Sequence, residues 1–192
     1  MIKWVSCFAF ILLLAACTQV LPGPTLRAPD YSKYGITRLD VNDVQVVNAY
    51  VPPYHAPNIE HELFLPPYVA LHDWAKARFQ AVGNMGIAKV EILDASIVKR
   101  DMPMTDDLQG YFTDQVNAQY GMHVKVRLEI VSPNFVNEPF AEVEVSRTLE
   151  TTQDTTLAER DTQLHQMVLS AVDEVDKLMT KSIQDKLANV VK

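Results

Sequence analysis

The sequence predicts an α+β fold, a four-stranded antiparallel sheet with two helices packed on one face, in the order β-α-β-β-β-α. Two observations predict this fold class. In several stretches apolar residues alternate with polar ones, which indicates strands with one buried and one solvated face. In two other stretches apolar residues recur every three or four positions, which is typical of amphipathic helices. The second helical stretch is long and reaches the end of the sequence.

The strand predictions rest on this alternation. Residues 122–130 alternate without interruption, and residues 140–149 follow with the same pattern. The polar face of the first stretch is basic and that of the second is acidic, which favours pairing in an antiparallel hairpin. Residues 87–99 also alternate, but the pattern changes phase after Ile92, which predicts a β-bulge. The valine-rich residues 39–50 complete the predicted sheet.

The first predicted helix follows a pair of prolines and carries apolar residues on one face and charged residues on the other. Pro67 presets its first turn, and Gly83 suits the left-handed conformation that ends many helices. Trp74 lies on the apolar face. We interpret it as the large side chain that anchors this helix in the core.

The last predicted helix begins at a capping box formed by Thr156 and Glu159. Its apolar stripe continues for about 35 residues, which is roughly 50 Å at 1.5 Å per residue. A domain of this size is narrower than that. Either the helix breaks near residues 180–182, or its last turns project and offer Leu187 and Val190 to a neighbour as a partner surface.

The N-terminus has the pattern of an export signal. Lys3 supplies a positive charge, and residues 4–16 carry no charge. This run is too short to cross a bilayer as a helix, which needs about 20 apolar residues. Residues 1–16 are therefore predicted to form a signal peptide that is removed and takes no part in the fold.

The predicted signal ends in Leu14-Ala15-Ala16-Cys17, which resembles the lipobox of bacterial envelope lipoproteins. The resemblance implies a lipid on Cys17 that makes the membrane a partner of the chain. An ordinary secretory signal is the alternative. Position 18 holds Thr18, whereas an aspartate there favours retention in the inner membrane in such lipoproteins. The resemblance thus implies an anchor in the outer membrane, with the body facing the periplasm.

Domain organisation follows from composition. Residues 17–35 are rich in proline and predict a tether, and residues 36–192 are predicted to form a single α+β domain. The two cysteines are Cys7, inside the signal, and Cys17, so the mature body offers no thiol for catalysis or metal binding. The formal net charge is −7. Because an acidic body repels phosphate backbones, we expect no nucleic-acid partner.

A proline-rich stretch, residues 51–68, joins the first predicted strand to the first helix. It lacks helical periodicity and contains the string Pro-Pro-Tyr twice. Paired prolines favour an extended backbone. One interpretation is a surface crossover whose aromatic side chains fill the edge of the core. The other is an exposed docking strip for a protein partner, made of Tyr54, Phe64 and Tyr68.

The sequence contains no nucleophile elbow, phosphate-binding glycine loop or zinc-protease motif. One cluster of imidazoles and carboxylates could bind zinc or share protons, but its spacing matches no known site, and a solvated loop explains it better. An acidic stretch lacks calcium-loop spacing. We therefore expect no enzyme, catalytic residue, metal or cofactor. The cluster comprises His55, Glu60, His61, Glu62, His72 and Asp73, and the acidic stretch comprises Asp101, Asp106 and Asp107.

The lipobox, the tether and the order of elements are together similar to ABC-transporter auxiliary lipoproteins and to the lipopolysaccharide-assembly lipoprotein. Short strings, such as Ala158-Glu159-Arg160 at the start of the last helix, resemble those of uncharacterised proteobacterial lipoproteins. The resemblance implies a binding or assembly accessory in envelope lipid transport or outer-membrane maintenance, with a protein partner or a lipid as its ligand. A purely structural lipoprotein and an enzyme of unknown type are the alternatives. No functional residue is carried over.

Overall fold

The computed structural model describes residues 26–104, 114–133 and 138–192. The predicted signal peptide, Cys17, Asp106 and Asp107 lie outside the described residues. The described part contains six strands, two α-helices and short 3₁₀ turns at Tyr31–Tyr34, Glu60–Glu62 and Ala188–Val190. The strands and helices are β1 (Thr37–Leu39), β2 (Asp43–Asn48), α1 (Pro67–Arg78), β3 (Phe79–Ala81), β4 (Ile87–Asp101), β5 (Val116–Val131), β6 (Phe140–Thr152) and α2 (Leu157–Lys186).

The main sheet has four strands in the order β2-β4-β5-β6, and it is mixed. β4, β5 and β6 are antiparallel neighbours, but β2 runs parallel to β4. The prediction of a purely antiparallel sheet was therefore wrong at one strand. The physical reason is the connection, because the chain leaves β2, crosses over through α1 and re-enters the sheet in the same direction.

The first predicted strand is in fact two strands. The chain turns between Leu39 and Asp43, so β1 leaves the main sheet and pairs in parallel with the short β3. The predicted bulge is confirmed, since the register of β4 against β5 shifts between Ile92 and Asp94. The shift keeps both halves of β4 facing the core, with Ala95 as deeply buried as Ile92.

Both helices contribute to one core. α2 packs on β6, α1 packs on β2 and β4, and the two helices contact each other. Trp74 is fully buried, which confirms it as the anchor of α1. Its indole N–H donates to Asp176 on α2 at 3.0 Å, and the Nε of Arg78 donates to the same carboxylate oxygen at 2.8 Å. This buried network joins the two helices.

α2 is one continuous helix of 30 residues, about 45 Å long at 1.5 Å per residue. The capping box of Thr156 and Glu159 is confirmed. Neither a break near residues 180–182 nor a projecting end is present, because the chain turns back after Lys186 and bonds to β1. Leu187 and Val190 are consequently buried in the core, so the prediction that they form a partner surface was wrong.

The residues before β1 also contact the body. Tyr31–Tyr34, at the end of the predicted tether, forms a 3₁₀ turn next to α1. Asp173 on α2 accepts hydrogen bonds from Lys33 Nζ at 2.7 Å and from the Tyr34 hydroxyl at 2.6 Å. In the part of the chain that the structure describes, no helix combines the length and apolar character needed to span a bilayer.

Candidate binding site

The connection between β2 and α1 runs along an open edge of the sheet. We call residues 51–66 the crossover segment. β2 pairs with β4 only as far as Ile92, and among the described residues the rest of that edge of β4 has no neighbouring strand. The crossover segment covers it, since Ile59 N–H donates to Ile97 O at 2.9 Å and Lys99 N–H donates to Pro57 O at 2.8 Å. The segment is thus held to the sheet by its backbone.

Glu60 fixes the middle of the crossover segment. Its carboxylate is fully buried and accepts hydrogen bonds from the Tyr50 hydroxyl at 2.6 Å, the Ile97 N–H at 3.2 Å and the Asn58 side chain at 3.3 Å. Buried carboxylates are stable only with such partners. The pKa of Tyr50 is raised, mainly by burial and secondly by the hydrogen bond to Glu60. Glu60 is therefore an anchor of the segment.

The histidine and carboxylate cluster considered from the sequence separates into local contacts. Among the described residues no group of three or more histidine, cysteine, aspartate or glutamate side chains could hold a metal ion. The contacts are His61 with Glu62 at 3.8 Å, His72 with Asp73 at 3.2 Å, and His55 with the carbonyl of Ala56 at 2.8 Å. Asp101 pairs with Lys99 at 2.8 Å.

A cavity of about 130 Å³ lies between the crossover segment, β4, β5 and the first turns of α2. Most of its apolar lining comes from the crossover segment. Its polar lining comes from the sheet, from α2 and, at Glu62, from the crossover segment itself. The apolar residues are Ile59, Leu63, Phe64, Leu65 and Leu164, and the polar residues are Glu62, Lys99, Tyr120, Arg160, Asp161 and His165. We call this space the crossover pocket.

His165 is a buried polar residue that lines the crossover pocket. It is only 6% exposed, and its enclosed Nδ1 has no hydrogen-bond partner among the residues that the structure describes. Its ring contacts the ring of Phe64, at 5.8 Å between centroids and 69° between planes. An edge-to-face pair of this kind is favourable. A buried polar group without a hydrogen bond is costly.

The cations at the crossover pocket are already paired. Arg160 donates to Asp161 through Nε at 3.0 Å and Nη2 at 2.7 Å, and the hydrogen bond to Asp161 raises the pKa of Arg160. Lys99 lies 2.8 Å from Asp101, and that hydrogen bond raises the pKa of Lys99. The charges around the cavity are therefore compensated by neighbouring carboxylates.

Large apolar side chains of the crossover segment face solvent. Val51, Tyr54 and Phe64 are 78%, 63% and 59% exposed. The Tyr54 ring also contacts His61, with the centroids 5.3 Å apart. Of the predicted docking strip, Tyr54 and Phe64 are thus accessible. Tyr68 instead packs partly against the core, and this burial raises its pKa.

Sequence reasoning did not find His165 or the cavity. His165 lies in the buried stripe of α2 beside Leu164 and Val168, where a histidine resembles an ordinary core residue. The only signal in the sequence was a titratable residue within an otherwise apolar stripe. The cavity itself is formed by segments far apart in the chain, so its presence depends on tertiary packing.

The fold and the cavity define a class of molecule, a small α+β domain with a ring-sized pocket beside the first turns of its long helix. No protein-family model and no curated protein matches the chain. A solved structure of a minor lipoprotein from Acinetobacter baumannii is similar with a TM-score of 0.33 and 11% identity, over 77% of this chain and 96% of that chain. At this TM-score the similarity is too weak to transfer a fold or a function.

Proposed function

We propose that the chain is a lipid-anchored protein of the bacterial envelope that binds a protein partner through its crossover segment. The observation that carries this proposal is the exposure of Val51, Tyr54 and Phe64 on a segment that is fixed in place. Exposed large apolar side chains mark interaction sites when they occur together. A segment that is already ordered loses little conformational entropy on binding.

The order of the crossover segment comes from the contacts described above. Glu60 holds the centre of the segment, and backbone hydrogen bonds tie Pro57 and Ile59 to β4. The exposed side chains therefore project from a rigid base. Ile36, Met85 and Leu157 are also exposed, but each belongs to a different part of the chain, as scattered surface residues commonly do.

The anchor is part of the proposal and is supported by the lipobox sequence ending in Cys17. The chain between Cys17 and the turn at Tyr31–Tyr34 can span at most roughly 50 Å when fully extended. A lipid on Cys17 would keep the body within that distance of the membrane surface. The binding surface would then meet partners that are themselves in or near the membrane. We place the chain at the outer membrane, facing the periplasm.

Within this function, we propose the role of an accessory in envelope lipid transport or outer-membrane maintenance. Its support is the lipobox and the order of strands and helices. A purely structural lipoprotein would need no ordered apolar binding surface. The test below separates the two roles, because a structural lipoprotein would give no position-specific contact.

The test is site-specific photo-crosslinking in intact cells. A photoreactive phenylalanine analogue replaces Tyr54 or Phe64, and the matched control carries it at Met85, which is also exposed. We expect positions 54 and 64 to give the same adduct and position 85 to give none. In a Cys17→Ser chain we expect the adduct to be lost and the protein to leave the membrane fraction. Equal labelling at all three positions would refute the proposed surface.

A further inference from the structure

The crossover pocket is lined by a buried polar group that has no hydrogen-bond partner among the described residues. His165 is 6% exposed, and its buried Nδ1 has no hydrogen-bond partner among the described residues. Most buried polar side chains in native proteins have a partner. A ligand with one hydrogen-bonding group, placed beside this ring, would supply the missing bond.

The size of the cavity limits what can enter it. Its volume is about 130 Å³. A cavity of about 150 Å³ in another protein holds one benzene molecule. A single six-membered ring therefore fits, whereas drug-sized ligands occupy pockets of about 300 Å³ or more. A complete lipid acyl chain is also too long for this space.

The walls favour an aromatic ring. Ile59, Leu63 and Leu164 give an apolar surface, and Phe64 and His165 already meet edge to face. A third ring beside this pair can adopt the offset or T-shaped geometry that aromatic side chains prefer. The exposed Phe64 also lies at the edge of the protein partner surface proposed above.

The charges favour a neutral ligand. Arg160 is bonded to Asp161 and Lys99 to Asp101, so neither cation is free for an anionic group. Glu62 and Asp161 line the cavity and would repel a carboxylate. An ammonium group would find Asp161 and Asp101 already bonded to Arg160 and Lys99. The ligand group next to His165 is thus an uncharged donor and acceptor.

We propose that the crossover pocket binds the phenol ring of a tyrosine side chain from the protein partner, with the hydroxyl hydrogen-bonded to His165. A phenol hydroxyl can donate to a bare imidazole nitrogen or accept from a protonated one, so either tautomer of His165 is served. The inference rests on the proposed function, because the tyrosine belongs to the partner that contacts the crossover segment.

The test uses the full-length chain and follows the imidazole signals of its histidines by NMR. N-acetyltyrosinamide is compared with N-acetylphenylalaninamide, which lacks only the hydroxyl. We expect the tyrosine compound to shift the His165 signals with millimolar affinity. The phenylalanine compound should bind about fivefold more weakly, the size of one net neutral hydrogen bond. Equal binding of the two compounds, or no binding of either, would overturn the proposal.

Three variants of the chain test whether the tyrosine compound binds at His165. His165→Phe keeps a ring in the wall but removes the hydrogen bond, so we expect it to abolish the preference for tyrosine. His165→Gln retains a polar group and should keep part of the preference, which guards against a variant that fails to fold. His72→Gln is the matched control, since His72 does not line the cavity, and it should retain the full preference. Loss of preference in His72→Gln would assign the binding to another place.

A further arm separates a side chain from a free phenolic compound. We expect p-cresol to bind no more tightly than N-acetyltyrosinamide. Binding of p-cresol without binding of the tyrosine compound would overturn the assignment to a protein side chain. If crosslinks form at positions 54 and 64 but neither amino-acid compound binds, the partner surface stands and the pocket inference fails.

Discussion

The solvated face of the sheet and the protein interior each hold a histidine, and the two histidines differ in their hydrogen bonds. On the solvated face, His123 is bonded through Nδ1 to Asp94 at 2.9 Å and through Nε2 to Glu144 at 2.8 Å. In the interior, Nδ1 of His165 is buried and has no hydrogen-bond partner within the described residues. The partly exposed histidine has hydrogen bonds at both ring nitrogens, whereas the buried one has a nitrogen without a bond. In most proteins it is the buried polar groups that are hydrogen-bonded. The hydrogen bonds of His123 thus link β4, β5 and β6, whereas Nδ1 of His165 has no partner in the described structure.

Two aspartates on α2 extend the comparison. Asp176 is 15% exposed at its side chain and bonds to Arg78 and Trp74, whereas Asp173 is 51% exposed and bonds to Lys33 and Tyr34. The two residues lie nearly one turn apart on the same helix. The ion pairs that they form differ in their exposure to water. The first ion pair is isolated from solvent, and the second is screened by it.

The largest expected effect comes from Asp176→Ala. The substitution leaves the buried Arg78 guanidinium without its partner, so we expect the free energy of unfolding to fall by about 3–5 kcal/mol. The control is Asp173→Ala, for which we expect a loss of about 1 kcal/mol or less because the pair is exposed. Urea denaturation of the two variants measures both values. Similar losses would show that burial does not separate the two sites.

A smaller effect of opposite sign is expected at the pocket. His165→Leu removes no hydrogen bond within the described structure and replaces a buried polar ring by an apolar side chain. We expect stability to be unchanged or to rise by up to about 1 kcal/mol. His123→Leu, which removes two hydrogen bonds, should instead lower it. Thermal unfolding of both variants checks this. A loss above about 2 kcal/mol for His165→Leu would contradict the absence of a partner.

The smallest effect is the pH dependence at His123. The hydrogen bond to Glu144, with a further one to Asp94, raises the pKa of His123 above 6.5. A raised folded-state pKa gives stabilisation that is fully present below about 6.5 and is lost as the pH rises through the raised value. Compared with His123→Gln, the native chain should therefore lose stability as the pH rises above about 6.5 and through the raised pKa of His123. Denaturation series at several pH values measure the difference, and parallel curves would exclude the effect.

Much of the fold could be predicted from the sequence because alternation and helical spacing report directly on burial. The bulge after Ile92 and the capping box at Thr156 are local features with local signals. Periodicity carries no information on strand direction, so the parallel orientation of β2 was missed. It also cannot show where a helix end folds back, which is why the burial of Leu187 and Val190 was missed.

The candidate site was only partly predictable for the same reason. Tyr54 follows a pair of prolines, and Phe64 lies in the same segment, whose apolar residues lack helical spacing. Both features indicate a surface crossover. His165 carries no such signal, since its importance comes from the bonds it lacks. Those bonds depend on what the crossover segment, β4 and β5 place around the ring, and these segments meet only in the folded chain.

The return of the chain after α2 has a practical consequence. Asp40 N–H donates to Val190 O at 2.7 Å and Lys192 N–H donates to Arg38 O at 3.0 Å, so the last residues lie beside β1. Along α2, Leu187 is about 33 Å from His165 at 1.5 Å per residue. A fluorophore or fusion protein attached at Lys192 would therefore sit beside β1, where the N-terminal segment joins the body. It would leave the crossover pocket open, which makes this end the appropriate handle for surface immobilisation in binding experiments.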